Sequence, residues 1–512
     1  MSSASRRSLS AFKSTMTKQK LHGRAFYESI GSPKHILAPM VDQSEFVWRM
    51  LTRSFLPPEL RSSILAYTPM FHAKLFAEKP KYRAQHFEPM TQEQKSHLDG
   101  NPKFDRPLFV QFCANDADVL LEAAKYVVPY CDAVDLNLGC PQGIAKRGRY
   151  GAFLQENWDT IRKLINTLHL NLDVPVTAKF RILESKEKTL SYAKMMLDAG
   201  ASILTVHGRQ REQKGHQTGL ADYQVIRYLR EMLPKETVIF ANGNILQHDD
   251  IQKCLDETGV DGVMSAEGNL YDPSIFCDPP PVGQEGREYW RGRDGKGGYR
   301  ADAVLRRYLD LVHKYVLGKE PPRREPLFIT SDVVESPAEQ KVAPSLKRKA
   351  DEDTECQVSK KQRRSEAKQG KQEKCTDPNL VAMQAHCFHI LRPLVAKHHG
   401  VRDALAKCRA GDIDAFEDVL TLTEEAVKEG LCDYATDPFQ FEPKGESTVK
   451  RDEKECSDEA VKRCRRPYWV CQPYVRPLPK EALEKGSLQL SKKEIRKEVA
   501  PRKGLGVLDR QC

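Results

Sequence analysis

The chain has 512 residues, a net charge of +10, 40% apolar residues and fourteen cysteines. That length allows two or three domains, and no apolar run approaches the roughly 20 residues a membrane-spanning helix needs. The cysteines form no C-x-x-C pair, which speaks for a reduced intracellular protein without a structural metal site, and the basic excess favours a polyanion such as nucleic acid over a membrane.

Residues 1–27 contain no Asp or Glu, are rich in Ser, Arg and Lys, and include Met16. They read as an unstructured extension over 1–30, or as a transit-like segment ahead of an internal start at Met16. Cytoplasm, nucleus and mitochondrion all stay open. From residue 35 to about 276, short apolar runs rich in β-formers alternate with helical patterns. The runs are HILAPM (35–40), AYTPM (66–70), PLFVQF (107–112), AVDLNL (133–138), VPVTAKF (174–180), ILTVHG (203–208), TVIFANG (237–243) and GVMSAEG (262–268). Eight parallel strands in about 250 residues predict an α/β fold, a TIM (β/α)8 barrel over 31–280. An open doubly wound sheet carries its Gly-rich phosphate loop after the first strand, whereas here the first strand ends in PMVDQ.

Beyond the barrel the pattern turns helical, with apolar faces over 301–316, 377–397 and 415–430. Residues 321–374 are highly charged and nearly free of aromatics, too little apolar surface to offset ordering entropy. The chain is therefore expected to carry a small helical domain, 301–318 and 376–440, split by an unstructured insertion at 319–375. Lys347-Arg348-Lys349 and the cluster at 360–364 read as a nuclear-import signal, an RNA contact or a solvated charge run. Residues 441–512 form a basic strap and tail. Within it RCRRPYWVCQPYVRP (463–477) interleaves Arg with Tyr468, Trp469 and Tyr474, suited to meeting phosphates and stacking on bases or to strapping the barrel.

Residues at the C-terminal ends of barrel strands converge on one site however far apart they lie in sequence. Here those ends supply Pro39, Met40 and Val41; Gln111; Asn137 and Cys140; Lys179 and Arg181; His207 and Arg209; Asn242, Gly243 and Asn244; and Ala266 and Glu267. This set suits a flavin mononucleotide laid across the barrel mouth. Gly243 lets backbone approach closely, and N–H groups of 242–244 and of the Ala266 turn can cradle a phosphate. Lys179 would face the ring edge that becomes anionic on reduction, Gln111 and His207 its polar rim, and Pro39, Met40 and Val41 would supply backbone and an apolar wall. DLNLGCPQ (135–142) ends a strand on a thiol between Gly139 and Pro141, in the loop region where ligands gather.

The stretches APMVDQSE, LFVQFCAN, DLNLGCPQ, KRGRYGAFL, TAKFR, TVHGR, FANGNI and VMSAEGNL together resemble the tRNA-dihydrouridine synthases, in particular the eukaryotic subfamily acting on uridines 16 and 17 of the D-loop. The resemblance covers about residues 36–273. It implies a barrel followed by a helical domain, bound FMN, NADPH as reductant with NADH possible, and tRNA as substrate. It further implies hydride transfer from reduced FMN to C6 of uracil and a proton from Cys140 to C5, as a thiol is still protonated at neutral pH. Asn137 and Arg181 are then expected at the uracil, and Lys179 and His207 at the flavin. The base must leave its stack, which a splayed loop nucleotide makes cheaper.

One position departs from the pattern. Many members have Gly-Arg where this chain has Ala266-Glu267, so backbone is expected to hold the phosphate there and Glu267 to turn away. Two other functions compete: an FMN barrel oxidoreductase acting on a free pyrimidine, and a tRNA-binding factor that has lost catalysis. No metal is expected, and a monomer is the working expectation.

Overall fold

The computed structural model describes residues 20–87, 98–333, 375–441 and 456–487. Its centre is a closed parallel barrel of β1 His35–Leu37, β2 Ile64–Tyr67, β3 Leu108–Cys113, β4 Ala133–Leu138, β5 Val176–Arg181, β6 Ala201–His207, β7 Val238–Asn242 and β8 Gly262–Ser265. Adjacent strands pair in sequence order. β1 also pairs with β8, His35 opposite Val263, and β2 with β3, Ala66 opposite Leu108, which closes the ring. Such strands are covered on both faces, and β3 is buried at every position, so the sequence reads as unbroken apolar runs instead of alternation. All eight expected strands are present, with ends moved by up to a few residues.

The expected extension over 1–30 is corrected at its C-terminal end. Gly23–Ser29 is a helix that buries Phe26 and Tyr27 in the barrel cluster of Ile36, Leu65, Tyr67, Phe109, Ile203, Phe240 and Met264. Phe26 stacks on Phe109 with centroids 5.9 Å apart, and the Tyr27 hydroxyl donates to the Asp261 carbonyl at 3.0 Å. This plug fills the barrel interior with rings.

A hairpin, β9 Tyr289–Arg291 with β10 Gly297–Tyr299, leads into helix Ala301–Leu311, which ends in a wider turn over Val312–Val316. The second expected helix is broken in two, Pro378–Ile390 and Arg392–Lys397, because Pro393 has no N–H for the continuing ladder. His399–Lys407 and the 24-residue Ile413–Thr436 complete this region. Residues 319–333, expected to be unstructured, lie against it: Arg324 pairs with Glu417 at 2.8 Å and with Asp310, and Leu327 is buried. Met16, both basic clusters and residues 488–512 lie outside the described residues.

Barrel and helical region share one core. Trp48, on helix Phe46–Ser54, stacks on His386 at 4.0 Å and donates to the Asn269 amide oxygen at 2.7 Å. His386 donates to the Glu45 carboxylate at 2.9 Å, and the Val47 N–H donates to Asn379 at 3.0 Å. The same barrel helix is fixed from its other side by a buried charge cluster. Asp105 accepts from Arg49 at 2.6 and 3.1 Å and from Arg53 at 2.6 Å, and Arg53 donates onward to the Pro107 carbonyl at 2.7 Å. No helix among the described residues is long and apolar enough to cross a membrane.

Candidate active site

The Cys140 loop is held by its main chain. Asn137 accepts through Oδ1 from the N–H groups of Gly139 at 3.2 Å and Cys140 at 2.9 Å, which explains an Asn at the end of β4. The Gly139 carbonyl accepts from Arg181 Nε at 2.8 Å, the Pro141 carbonyl from Lys214 at 2.8 Å, and the Cys140 carbonyl from the Ala152 N–H at 3.1 Å. Gly151 sits at φ +64°, and a Cβ there would come within 2.9 Å of the Cys140 carbonyl, so only glycine lets KRGRYGAFL pack against the loop. The thiol itself is half-buried, whereas Cys113 beneath it is fully buried and pushed up to about 12 by burial, then by Cys140. A thiol so shielded is inert.

Behind Asn137 runs a relay of fully buried side chains. Asn137 Nδ2 donates to Gln111 Oε1 at 2.8 Å, Gln111 Nε2 to Asp135 Oδ2 at 2.8 Å, and the Thr177 hydroxyl to Asp135 Oδ1 at 2.5 Å. Burial pushes Asp135 up to about 6, against the hydrogen bonds from Thr177 and Gln111 and the charge of Lys179. Gln111, expected at the flavin rim, is fully buried and engages both ends of its amide with Asn137 and Asp135. Asp135 is not among the expected site residues, although an acid in the middle of the apolar run AVDLNL is a signal in itself.

On the adjoining strands Lys179 donates to Asn242 Oδ1 at 3.1 Å, and Asn242 Nδ2 donates to the Met264 carbonyl at 2.9 Å. Burial first, then the charge of Arg181, bring Lys179 down to about 8 against the pull of Asp135. Arg181 donates to the carbonyls of Gln210 at 2.9 Å and Gln213 at 3.2 Å as well as to Gly139, joining the loops after β4 and β6. His207 is driven well below its ordinary value by burial, then by Arg181, Lys179 and Arg209. Its ring is therefore neutral. Arg209 can only donate, so its 3.1 Å contact to His207 Nε2 puts the imidazole proton on Nδ1.

The β7 turn carries two positive φ values in succession, Gly243 at +120° and Asn244 at +61°. A Cβ at Gly243 would lie 2.6 Å from Ala221 and 3.2 Å from Arg209 Nη1, closing the gap between turn and guanidinium. Asn244 tolerates the left-handed region and binds Arg209 Nη2 at 2.8 Å and the Ala221 N–H at 2.9 Å. Tyr223 donates to the Gly243 carbonyl at 2.8 Å, a support without a sequence signal. Ala266 and Glu267 follow β8 and are half-buried. After β1, Pro39 and Met40 are half-buried and Val41 is 54% exposed.

The expected strand-end residues thus stand on one rim of one barrel. Trp469, one candidate for stacking on bases, is instead completely buried, with centroids 4.9 Å from Phe441 and 6.0 Å from Trp290; of the two readings of that segment it fits the strap. A cleft of about 580 Å³ opens between the hairpin and the long helix beside Trp290, Arg291 and Tyr434, but no barrel-strand residue lines it. Its arginines are paired, Arg291 with Glu285 and Arg300 with Asp302. Among the described residues no cluster of His, Cys, Asp or Glu could hold a metal ion.

A closed (β/α)8 barrel whose strand ends gather one half-exposed thiol, a carboxamide relay, a lysine and a neutral histidine is the architecture of an enzyme. The sequence profile of the dihydrouridine synthases matches residues 36–290, and the chain belongs to that family. It is 44% identical over 461 residues to the tRNA-dihydrouridine(16/17) synthase [NAD(P)(+)] of Saccharomyces cerevisiae, covering 90% of this chain and 88% of that one. To the protein of the same name from Schizosaccharomyces pombe it is 41% identical over 464 residues, 90% and 93% of the two chains. A tRNA-dihydrouridine(16/17) synthase [NAD(P)(+)]-like protein of Rattus norvegicus is 34% identical over 487 residues, 95% and 84%.

Proposed function

We propose that the enzyme reduces uridines 16 and 17 in the D-loop of tRNA to 5,6-dihydrouridine, with FMN as bound cofactor and NADPH as reductant. The names of the two yeast relatives, alike over nine-tenths of this chain, support substrate, positions and nicotinamide. Such a substrate places the reaction inside the cell. The observation that carries the reading is the Cys140 thiol, half-exposed on a loop held at five backbone groups and set beside the strand-end rim.

The rim fits FMN. Gly243 leaves free the volume that a Cβ would take beside Arg209, and the cations Lys179 and Arg209 suit an anionic ring edge and a phosphate. Bound there, FMN would supply the hydride for C6 of the uracil. Cys140 holds the proton for C5. Asn137 and Arg181, each tied to the Cys140 loop, set that thiol relative to the base, and their remaining N–H groups suit the uracil oxygens. His207, proton on Nδ1, offers the flavin a neutral donor. The basic surface and the helical region suit the polyanionic tRNA. Protein purified in its native form should be yellow and release FMN on denaturation; well-folded protein that neither carries nor takes up FMN overturns the reading. Dihydrouridine mapped in tRNA from cells lacking the protein should disappear at positions 16 and 17 alone.

The buried relay yields a second test. In Asp135→Asn the side chain can no longer accept from Thr177 and Gln111 together, so Gln111 turns and Asn137 loses its partner. Turnover on tRNA should fall roughly 10- to 100-fold with FMN retained, since small displacements of reacting groups are costly. Unchanged turnover would show that the relay does not place the Cys140 loop.

A further inference from the structure

The two turns assigned to the phosphate carry a charge conflict. Glu267 follows directly on Ala266, and a carboxylate beside a phosphate is unfavourable. The chain resolves it from far away. Arg476, 209 residues further on, donates from Nε to Glu267 Oε2 at 3.0 Å and from Nη2 to Oε1 at 2.5 Å. Both side chains remain partly exposed, 46% for Arg476 and 38% for Glu267, and a solvent-accessible pair of this kind contributes little to stability. Fold stability is thus a poor account of why it is there.

Arg476 is delivered by a fixed segment. The Trp469 carbonyl accepts from the Ala301 N–H at 2.8 Å, and the Cys471 N–H donates to the Tyr299 carbonyl at 2.9 Å. Beyond, the Tyr474 ring lies 3.8 Å from the Arg392 guanidinium and 6.2 Å from the ring of Tyr271, on the short helix that begins with Glu267. The segment then reaches the 210–220 loop, where a Cβ at Gly219 would be 3.8 Å from Pro479. The carbonyl of that same Gly219 accepts from Arg209 at 3.0 Å. Arg209 and Arg476 therefore flank Glu267, and Arg209 feels both: burial chiefly brings it down to about 10, with Tyr223 and Glu267 raising it and Arg476 lowering it. The pair with Glu267 engages Nε and Nη2 of Arg476, and its Nη1 makes no hydrogen bond among the described residues.

We propose that Arg476 is a ligand of the FMN phosphate, carried to the β7 and β8 turns by the C-terminal strap and held there by Glu267. This rests on the FMN reading above. A guanidinium presents five donors in a planar fork, enough to serve a carboxylate with one edge and a phosphate with another.

The test is titration of deflavinated full-length protein with FMN and with riboflavin, which lacks the phosphate. Relative to wild type, Arg476→Ala should weaken FMN at least tenfold and leave riboflavin unchanged. The loss should persist in the double variant Glu267→Ala with Arg476→Ala, and Glu267→Arg in the Arg476→Ala background should restore FMN affinity by placing the cation on the turn itself. Three results overturn the proposal: FMN affinity unchanged in Arg476→Ala with only tRNA affinity altered; equal weakening of FMN and riboflavin, which marks a displaced strap; and full recovery in the Glu267→Ala double variant, which reduces Arg476 to a neutraliser of Glu267. A wild-type protein that binds riboflavin and FMN equally overturns the phosphate site, and one that binds neither overturns the FMN reading itself.

Discussion

Replacing Cys140 by alanine should lower dihydrouridine formation about 10²- to 10⁴-fold, the contribution of a well-placed general acid, while FMN should stay bound and NADPH oxidation persist. The separation of effects follows from the loop. Its five anchors, Asn137 to the Gly139 and Cys140 N–H groups, Arg181 to the Gly139 carbonyl, Lys214 to Pro141 and Ala152 to the Cys140 carbonyl, all engage main chain, so loss of the Sγ leaves them in place. The flavin assignments lie on other strand ends. Serine, a weaker acid of similar shape, should recover little. Mass spectrometry of modified tRNA together with flavin absorbance of the same preparation checks both halves. A variant keeping more than about a tenth of the rate removes Cys140 from the proton-donor role.

Asp105→Ala should cost about 3–5 kcal/mol of stability, the loss expected when one partner of a buried ion pair is removed. Its carboxylate is inaccessible and neutralises two guanidinium groups, Arg49 and Arg53, that are themselves buried. With Asp105 gone, Arg53 keeps only the carbonyls of Ile64 and Pro107, and Arg49 keeps Asp99 and the Ser44 carbonyl. Burial opposes the charge on Asp105, but Arg49 and Arg53 beside it outweigh burial and hold its carboxyl below the ordinary range. A lowered value in the folded state means that this stabilisation is complete above the unfolded carboxyl's pKa near 4 and fades as pH falls toward the folded value. Denaturant unfolding at neutral pH and near pH 3 should show the wild type losing the difference from Asp105→Ala as acid is added. A variant as stable as wild type at neutral pH would show that the site relaxes or admits water.

The barrel was legible because parallel strands covered on both faces leave contiguous apolar runs that end abruptly in polar residues. Those endings also made the rim readable: Cys140, Asn137, Lys179, Arg181, His207 and Asn242 to Asn244 each close a run. What could not be read rests on distance in sequence. Nothing local in AVDLNL says that Asp135 reaches Thr177 and Gln111, and nothing in VRPLP says that Arg476 meets Glu267. Ring content misled in the strap, where Trp469 suits base stacking and core packing equally until its neighbours are known. Composition misled at 319–333, where Arg324 and Leu327 find partners on helices that the run itself does not announce.

The stacking of Trp48 on His386 and the Glu45 contact join residues 338 and 341 positions apart. On the ribosome, the barrel strands are all made well before His386 emerges, so the nascent barrel presents Trp48 and its neighbours uncovered while a hundred and more further residues are added. At about 5–20 residues per second that interval lasts several seconds to tens of seconds, long compared with barrel collapse. The order of synthesis thus makes the half-made enzyme a natural client for chaperones, and slow codons in the stretch between barrel and helices would lengthen its exposure.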